Sequence, residues 1–443
     1  MASTKSMPDK AFYKLWLSRL IWIVSIQIAV GTALLYFGLV PYGSDNDLTT
    51  AVFYACSAAT ATVFTSEALV SEPAFRIYTS VMAQTGTFLF MMCTLVLFGP
   101  FVRAYNISRI KQGEPSGAFN WETPKGLFGR LALYQLLFAL TASLSFYFLF
   151  PVSPYKGNLD RLYLALFHGF SLGAGAGYMA VPNGFMAKLA GHAFIIQSVV
   201  SILTCFSVLG MPVMLDLVSP QSLRERLKTP DINWQAFTRL SILVFGLIIG
   251  FAAFVIYKAE RSAVFTNLNG GEAGIASLFS TVSCLANGYQ NFRPAVLGTG
   301  TSIFFLVLII IGGSFFSAAA SPFGLLLSMV LFVRFLGIRN KKFQNSNKFP
   351  DWEKLYIPIM TIACFMVLFN LSAWLLLLNS GFGSAEALAF NQLSYFSNSG
   401  LLWEPQNSPA GLQQIIYSVS MTVGRFGVLV LLFVTFIRSS KQP

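Results

Sequence analysis

Charged side chains are scarce in this sequence of 443 residues, because aspartate, glutamate, lysine and arginine together make up only 10% of it. Globular domains typically carry about 25% charged residues. Hydrophobic residues make up 55% of the chain. A protein with this composition could not cover its surface with polar groups, so an ordinary soluble enzyme is excluded.

Histidine and cysteine are also rare, with two and five residues respectively. The cysteines stand singly in or beside apolar runs without any Cys-x-x-Cys pair, so neither a disulfide framework nor a metal site is indicated. Of the histidines, His168 is expected to pack in the interior. Catalytic triad, H-E-x-x-H, Walker and G-x-G-x-x-G patterns do not occur in a usable setting. We therefore expect no enzymatic activity and no cofactor in this chain.

Long apolar runs dominate what the sequence does contain. Each is about 20 residues or longer, which suffices to cross a ~30 Å hydrocarbon core as a helix. The runs cover residues 15–40, 77–102, 127–150, 194–217, 237–257, 297–333, 355–378 and 412–437. We expect eight membrane-spanning helices, the first of them a retained anchor and not a cleaved signal peptide.

The net charge of +12 is distributed unevenly between the two sides of this topology. The termini and the connections between pairs of crossings hold 21 of the 29 lysines and arginines, and the opposite side holds seven. The positive-inside rule then predicts a multi-pass protein of the cytoplasmic (inner) membrane with both termini in the cytoplasm. The basic excess is topological, so lipid is an expected partner and nucleic acid is not.

A shorter, semi-polar stretch lies between the two crossings of each pair. The positions Val63, Gly177, Gly288 and Gly400 in these stretches are 114, 111 and 112 residues apart, about a quarter of the chain. The period predicts four copies of outer helix, pore helix, re-entrant loop and inner helix. The expected repeats are 1–112, 113–226, 227–345 and 346–443, with pore loops at 48–66, 160–180, 272–292 and 385–403.

These four loops are rich in small and polar residues. Non-helical backbone at membrane depth survives where it is buried in protein or lines water. Four such loops around one axis would offer rings of carbonyl oxygens that replace the hydration shell of a monovalent cation. The predicted filter comprises Thr62, Val63, Ala176, Gly177, Asn287, Gly288, Ser399 and Gly400. Four interfacial turns are the alternative, which the fourfold repetition disfavours.

The third inner run, extended to residues 297–336, would be about 60 Å long as one helix, twice the thickness of the membrane core. A break is expected at the small, hydroxyl-bearing residues Ser317 to Ser321, because Pro322 follows them and removes a backbone donor. Phe315 and Phe316 precede this break and would make a dry constriction. A plain packed kink is the other interpretation.

Arg425 lies about a dozen residues from either end of the last apolar run. An arginine at such depth costs at least ~2.5–3.5 kcal/mol on insertion scales. Either it faces the ion path below the loops and repels cations, or it fastens neighbouring helices together. Both interpretations can hold.

Three short stretches carry a resemblance to a known family. They are Val208-Leu209-Gly210-Met211-Pro212-Val213-Met214-Leu215-Asp216-Leu217, Ile311-Gly312-Gly313-Ser314 and Gly424-Arg425-Phe426-Gly427. They resemble the inner helices of the Trk/Ktr/HKT superfamily of potassium transporters, whose single chain holds four helix-pore-helix repeats around one ion pathway. The length and the 212–217 stretch look more like the bacterial Ktr-type membrane subunit.

The resemblance implies a function and partners. It implies potassium as the transported ion. Sodium is the other candidate, because Val63 stands where the family has its first filter glycine, and some plant relatives that have serine at that position favour sodium. It also implies a homodimer on a cytosolic nucleotide-binding ring. The family's mid-membrane loop is a gate, which corresponds here to Phe315, Phe316, Ser317, Ala318 and Ser321 with Arg425.

Monovalent cation translocation is the function we expect. A non-conducting membrane scaffold or sensor that retains the fold is the alternative, motivated by Val63 and the altered third inner helix. An ion-coupled transporter of another solute is disfavoured because the apolar runs hold no carboxylates to carry coupling protons.

Overall fold

The computed structural model describes most of the chain, and its regular elements are all helical. The described residues are 10–42, 47–62, 72–110, 124–149, 157–179, 193–218, 224, 227, 236–286, 288–290, 292–314, 316–339, 353–379, 383–403 and 409–439. The all-α membrane architecture predicted from the sequence is confirmed. The predicted boundaries between repeats fall between described helices.

The described helices of the first two predicted repeats are, in order, an outer helix, a short helix where the pore helix is predicted (called the pore helix from here on) and an inner helix. Repeat 1 contains α1 (Lys10–Tyr36), the pore helix α2 (Leu48–Thr60) and α3 (Pro73–Ile110). Repeat 2 contains α4 (Pro124–Leu149), the pore helix α5 (Asn158–Gly173) and an inner helix in two pieces, α6 (Ala193–Leu209) and α7 (Met211–Val218).

The last two repeats follow the same order. Repeat 3 contains α8 (Ala236–Glu260), the pore helix α9 (Gly270–Leu285), a short turn (Pro294–Val296) and an inner helix split into α10 (Thr299–Ile311) and α11 (Pro322–Arg339). Repeat 4 contains α12 (Glu353–Leu378), the pore helix α13 (Ala385–Phe396), α14 (Leu412–Thr422), a π-helical turn (Val423–Gly427) and α15 (Val428–Ser439).

Within the described ranges, six helical spans are long and apolar enough to cross a membrane. They cover residues 10–36, 73–99, 128–149, 238–260, 356–378 and 412–438. The other two expected crossings are the inner helices of repeats 2 and 3, and each of these is split, into α6 and α7 and into α10 and α11. Two of the eight expected crossings are therefore interrupted helices.

The break in the second inner helix is a finding that the sequence did not predict. Gly210 separates α6 from α7 with φ +83°, a conformation that residues with a Cβ rarely adopt. A Cβ at this position would lie 2.9 Å from the backbone carbon of Phe316 and the backbone nitrogen of Ser317. The helix is interrupted so that the broken third inner helix can approach it closely.

Three of the four pore helices start at a side-chain cap, and the exception is α5, which Gly157 precedes. Asp47 and Ser384 accept hydrogen bonds from backbone amides of the first turns of α2 and α13, and Asn269 forms a reciprocal capping box with Glu272. The hydroxyl of Thr49 also donates to Asp47, and this bond lowers the pKa of the Asp47 carboxyl. Each pore helix ends where its loop begins, so its carbonyl end, which carries partial negative charge, lies at the loop.

One buried apolar cluster joins the inner helices below the loops. It contains Phe90 and Phe98 of α3, Phe426 of the π-helical turn, and Phe316 and Ala318 from the break in the third inner helix. That break is therefore packed inside the protein.

Candidate functional site

A serine near the end of each pore helix closes the turn into the following loop. Loops 1 to 4 are defined here as the segments that follow α2, α5, α9 and α13. In each, the serine carbonyl oxygen accepts a hydrogen bond from the amide five residues later. The pairs are Ser57 with Thr62 (3.0 Å), Ser171 with Ala176 (2.9 Å), Ser283 with Gly288 (2.9 Å) and Ser394 with Ser399 (3.1 Å). The four loops thus begin with the same turn.

Loop 3 differs from the others in length. Its serine is five residues before Gly288, whereas the serines of loops 2 and 4 are six residues before Gly177 and Gly400. Counted from the serine, Gly288 therefore takes the place of Ala176 and Ser399. The predicted filter residues Val63 and Asn287 lie outside the described residues.

Tyrosine side chains join loop 2 to loop 1 and loop 3 to the second pore helix. The Tyr178 hydroxyl lies 3.2 Å from the Ser57 carbonyl oxygen and 3.1 Å from the Thr62 carbonyl oxygen. The Tyr289 hydroxyl donates to the carbonyl oxygen of His168 in the second pore helix, at 3.4 Å. Each tyrosine follows its loop and reaches back to the preceding repeat.

Closer backbone and amide contacts join loops 3, 4 and 1. A Cβ on Gly288 would lie 1.9 Å from the Ser399 carbonyl oxygen, so the two loops touch at their backbones. Gln290 Nε2 donates to the Leu402 carbonyl oxygen at 2.6 Å. The Thr62 hydroxyl donates to Asn398 Oδ1 at 3.0 Å. With the tyrosine contacts, these bonds close the four loops into a ring.

The carbonyl oxygens of the predicted filter are not equally free to bind an ion. The Thr62 oxygen has hydroxyl donors on both sides, from Ser57 and Tyr178, and the Ala176 oxygen accepts from Ser171 Oγ at 2.7 Å. The Thr62 oxygen therefore accepts from the Ser57 hydroxyl and competes with the Ser57 carbonyl oxygen for the single Tyr178 proton. No donor from the described residues reaches the carbonyl oxygens of Gly177, Gly288 or Gly400.

The segment between α10 and α11, residues 312–321, is named here the break segment, and its described residues, 312–314 and 316–321, are not helical. Its backbone is tied down at several points: Gly313 donates to the Ala319 carbonyl oxygen at 3.1 Å, and Ser314 donates to that of Val208 at 2.9 Å. The Ser321 hydroxyl donates to the Ile310 carbonyl oxygen at 2.5 Å. The sequence predicts a break at this place, and the hydroxyl groups now cap carbonyls that the helix leaves free.

The predicted gate residues lie against the inner helices and loop 2. Phe316 is buried and meets Phe98 of α3 edge to face, with 6.4 Å between ring centroids. Ala318 contacts Gly175 of loop 2, where a Cβ would lie 3.0 Å from the Ala318 Cβ. The Ser317 hydroxyl accepts from the Ala319 amide at 3.2 Å. Phe315 is outside the described residues.

Arg425 is 2% exposed and lies in the π-helical turn of the fourth inner helix. Its Nη2 atom donates to the Ala318 carbonyl oxygen at 2.7 Å and to the Thr87 hydroxyl at 3.3 Å. Its guanidinium carbon lies 4.0 Å from the centroid of the Phe90 ring. The arginine thus fastens the break segment to α3, and a carbonyl dipole and a ring face contact its charge, whereas its buried Nε atom has no hydrogen-bond partner among the described residues.

Several residues of this arrangement were not identified from the sequence. They are Thr87 and Phe90, which contact Arg425, and Tyr178, Tyr289 and Asn398, which close the ring. One signal was present, because tyrosine directly follows the glycine in both Gly177-Tyr178 and Gly288-Tyr289. Threonine and phenylalanine within apolar helices carry no comparable signal.

Replacement of Tyr178 by phenylalanine is expected to weaken the hold on loop 1. The variant keeps the buried ring but removes the hydroxyl that lies against two carbonyl oxygens, at a cost of about 1 kcal/mol. We expect a lower thermal unfolding temperature in detergent than for the parent chain. Tyr36→Phe, at an exposed site, is the matched control, and equal unfolding temperatures for both variants would refute the role of Tyr178.

Comparison with known proteins gives the following matches. No protein-family profile matches the chain. It is 22% identical over 242 residues to "Ktr system potassium uptake protein D" of Bacillus subtilis (strain 168), covering 55% of this chain and 53% of that protein. It is 24% identical over 332 residues to "Ktr system potassium uptake protein B" of the same organism, covering 71% and 69%. The alignment to the first relative thus spans about half of its length.

A solved structure has the same fold. The crystal structure of the potassium transporter TrkH from Vibrio parahaemolyticus matches with a TM-score of 0.67 at 15% identity, over 98% of this chain and 86% of that one.

The fold and the ring define a class: an all-α, multi-pass membrane protein whose single chain brings four loops together. Within that class, the chain resembles the membrane subunits of Trk and Ktr potassium transporters. The resemblance predicted from the sequence is confirmed.

Proposed function

We propose that this chain carries potassium, or another monovalent cation, across the membrane through the ring of four loops. The observation that carries this proposal is the turn that recurs in every loop, with a serine carbonyl bonded to the amide five residues later. Four pore helices direct their carbonyl ends to the ring, which favours a cation there. The glycine carbonyls of loops 2, 3 and 4 supply the ligands that replace its water.

We further propose that the break segment and Arg425 form the gate. The bond from Arg425 to the Ala318 carbonyl oxygen holds the break segment beside loop 2, and the arginine charge repels a cation that leaves the ring. The packing of Phe316 in the apolar cluster supports a dry constriction, which water and ions enter at a cost.

The topology and partners follow from the charge distribution and the resemblance. We propose the cytoplasmic membrane as the location, with both termini in the cytoplasm, because the basic residues favour that side. A homodimer on a cytosolic nucleotide-binding ring is the proposed assembly, by resemblance alone.

Growth of a bacterium that lacks its own potassium uptake systems tests this function. Expression of the chain is expected to restore growth at limiting potassium and to raise cell potassium content. Addition of sodium at fixed potassium reports whether sodium competes. A chain that reaches the membrane in folded form but restores neither growth nor potassium content would contradict transport and favour a non-conducting scaffold.

A further inference from the structure

Thr87 makes contacts that set it apart from the other buried threonines of its helix. The hydroxyls of Thr79 and Thr94 donate to carbonyl oxygens of α3 itself, at 3.0 Å to Phe75 and 2.9 Å to Met91. Such bonds within a helix are the ordinary solution for a buried threonine. The Thr87 hydroxyl instead leaves its helix and donates to the Ala174 carbonyl oxygen of loop 2 at 2.7 Å.

The same hydroxyl accepts a hydrogen bond from Arg425. Nη2 of Arg425 lies 3.3 Å from Thr87 Oγ1 and 2.7 Å from the Ala318 carbonyl oxygen. One guanidinium group therefore binds the break segment directly and loop 2 through a single hydroxyl. Thr87 is fully buried, so water does not compete for these bonds.

Loop 2 and the break segment also touch without an intermediary. A Cβ on Gly175 would lie 3.1 Å from both the carbonyl carbon and the carbonyl oxygen of Ala318. Gly175 is the neighbour of Ala174 and lies two residues before Gly177, a predicted ion ligand. A shift of Ala318 therefore displaces the loop that presents the Gly177 carbonyl.

The chain of bonds from guanidinium to hydroxyl to carbonyl is polarised in one direction. A charged donor strengthens the hydroxyl as a donor to the next acceptor, and this effect is larger where water is excluded. If the hydrogen bond from Arg425 to Thr87 breaks, the hydrogen bond from the Thr87 hydroxyl to the Ala174 carbonyl oxygen becomes weaker. The conformation of loop 2 then depends on the position of Arg425.

We propose that Thr87 is a positioning residue that couples the gate to the ion selectivity of loop 2. When Arg425 releases Ala318 and Thr87, the Ala174 carbonyl loses its polarised donor and loop 2 relaxes. Selectivity between potassium and sodium is then set by the gate state as well as by the loop sequence. This inference rests on the proposed transport function.

Selectivity of uptake tests the coupling in the full chain in proteoliposomes. Thr87→Val keeps the shape of the side chain and removes its hydroxyl. The measured quantity is the sodium concentration that half-inhibits rubidium uptake, divided by the potassium concentration that does so. We expect this ratio to change about fivefold in Thr87→Val, which corresponds to the loss of one hydrogen bond. Thr94→Val is the matched control and should keep the parent ratio, and Thr87→Ser should restore it. A Thr87→Val ratio equal to that of Thr94→Val overturns the proposal.

Hydrogen–deuterium exchange tests the coupling without transport. Arg425→Ala and Thr87→Val should each raise deuterium uptake in peptides that cover 174–178, and the double variant should show no further rise. The coupling is overturned if deuterium uptake is unchanged in the single variants, or if the increase in the double variant equals the sum of the two single increases. Absence of cation flux in the parent chain would instead refute the proposed function, and the exchange result would still decide whether Arg425 acts on loop 2 through Thr87.

Discussion

Removal of the Arg425 charge is expected to raise cation flux about 100-fold. Two unit charges about 6 Å apart repel each other by about 3 kcal/mol at an effective dielectric constant of 20, which corresponds to about two orders of magnitude in rate. The arginine also anchors the Ala318 carbonyl oxygen at 2.7 Å. Arg425→Ala removes both the charge and the anchor, so the barrier and the closed position of the break segment are lost together.

Two further variants separate the charge of Arg425 from its anchoring bond. Arg425→Gln keeps an amide donor for the Ala318 carbonyl oxygen without the charge, whereas Arg425→Lys keeps the charge. If the charge is the barrier, flux through Arg425→Gln should approach that of Arg425→Ala, and Arg425→Lys should remain near the parent. Arg438→Ala, at an exposed site, is the control. Parent-like flux through folded Arg425→Ala would contradict a gate at this residue.

Replacement of Gly288 by alanine is expected to reduce flux about tenfold or more. The backbone at Gly288 has φ +67°, and the added Cβ would lie 1.9 Å from the Ser399 carbonyl oxygen. Alanine pays about 1–2 kcal/mol for this backbone conformation, and a separation that short forces loops 3 and 4 apart. One of the two contacts described between these loops, that of Gly288 with Ser399, is then lost.

The matched control for Gly288→Ala is Gly274→Ala, on the pore helix of the same repeat. A Cβ there meets no atom within 4 Å, and alanine favours a helix more than glycine does. Rubidium uptake and the thermal unfolding temperature are measured for both variants. We expect Gly274→Ala to match the parent in uptake. Equal uptake by Gly288→Ala and Gly274→Ala would show that the contact between loops 3 and 4 is not required for transport.

Much of the architecture is readable in the sequence because it depends on local composition. The apolar runs are recognised by their own composition, because each is long enough to be buried in lipid. Each of the four loops is likewise recognised by its own small and polar residues, and Pro322 marks the break because it lacks a backbone donor. Arg425 is conspicuous for the same reason, since its charge stands in an apolar run. These features predicted the four loops, the break segment and the arginine.

The contacts that organise the site lie between residues distant in sequence. Arg425 and Thr87 are 338 positions apart, and Tyr178 and Ser57 are 121 apart. No local pattern encodes such pairs, and a buried threonine in an apolar helix is usually bonded to its own backbone. The interruption at Gly210 was also missed, because an apolar run continues through it and only the approach of the third inner helix requires the glycine.

The two interpretations of Arg425 are compatible in the structure. Its bonds to Ala318 and Thr87 make it a fastening between helices, as the structural interpretation requires. The same bonds place its charge beside loop 2, as a gate requires. The glutamine and lysine variants therefore measure how much each contributes.

Uptake of radioactive rubidium into proteoliposomes that hold the purified chain decides whether the ring of loops carries ions. Uptake is competed with potassium and with sodium, beside empty liposomes and the Gly288→Ala variant. We predict saturable uptake that potassium inhibits and that Gly288→Ala reduces. Uptake no greater than in empty liposomes, for both the folded parent chain and folded Arg425→Gln, would contradict cation transport by this protein.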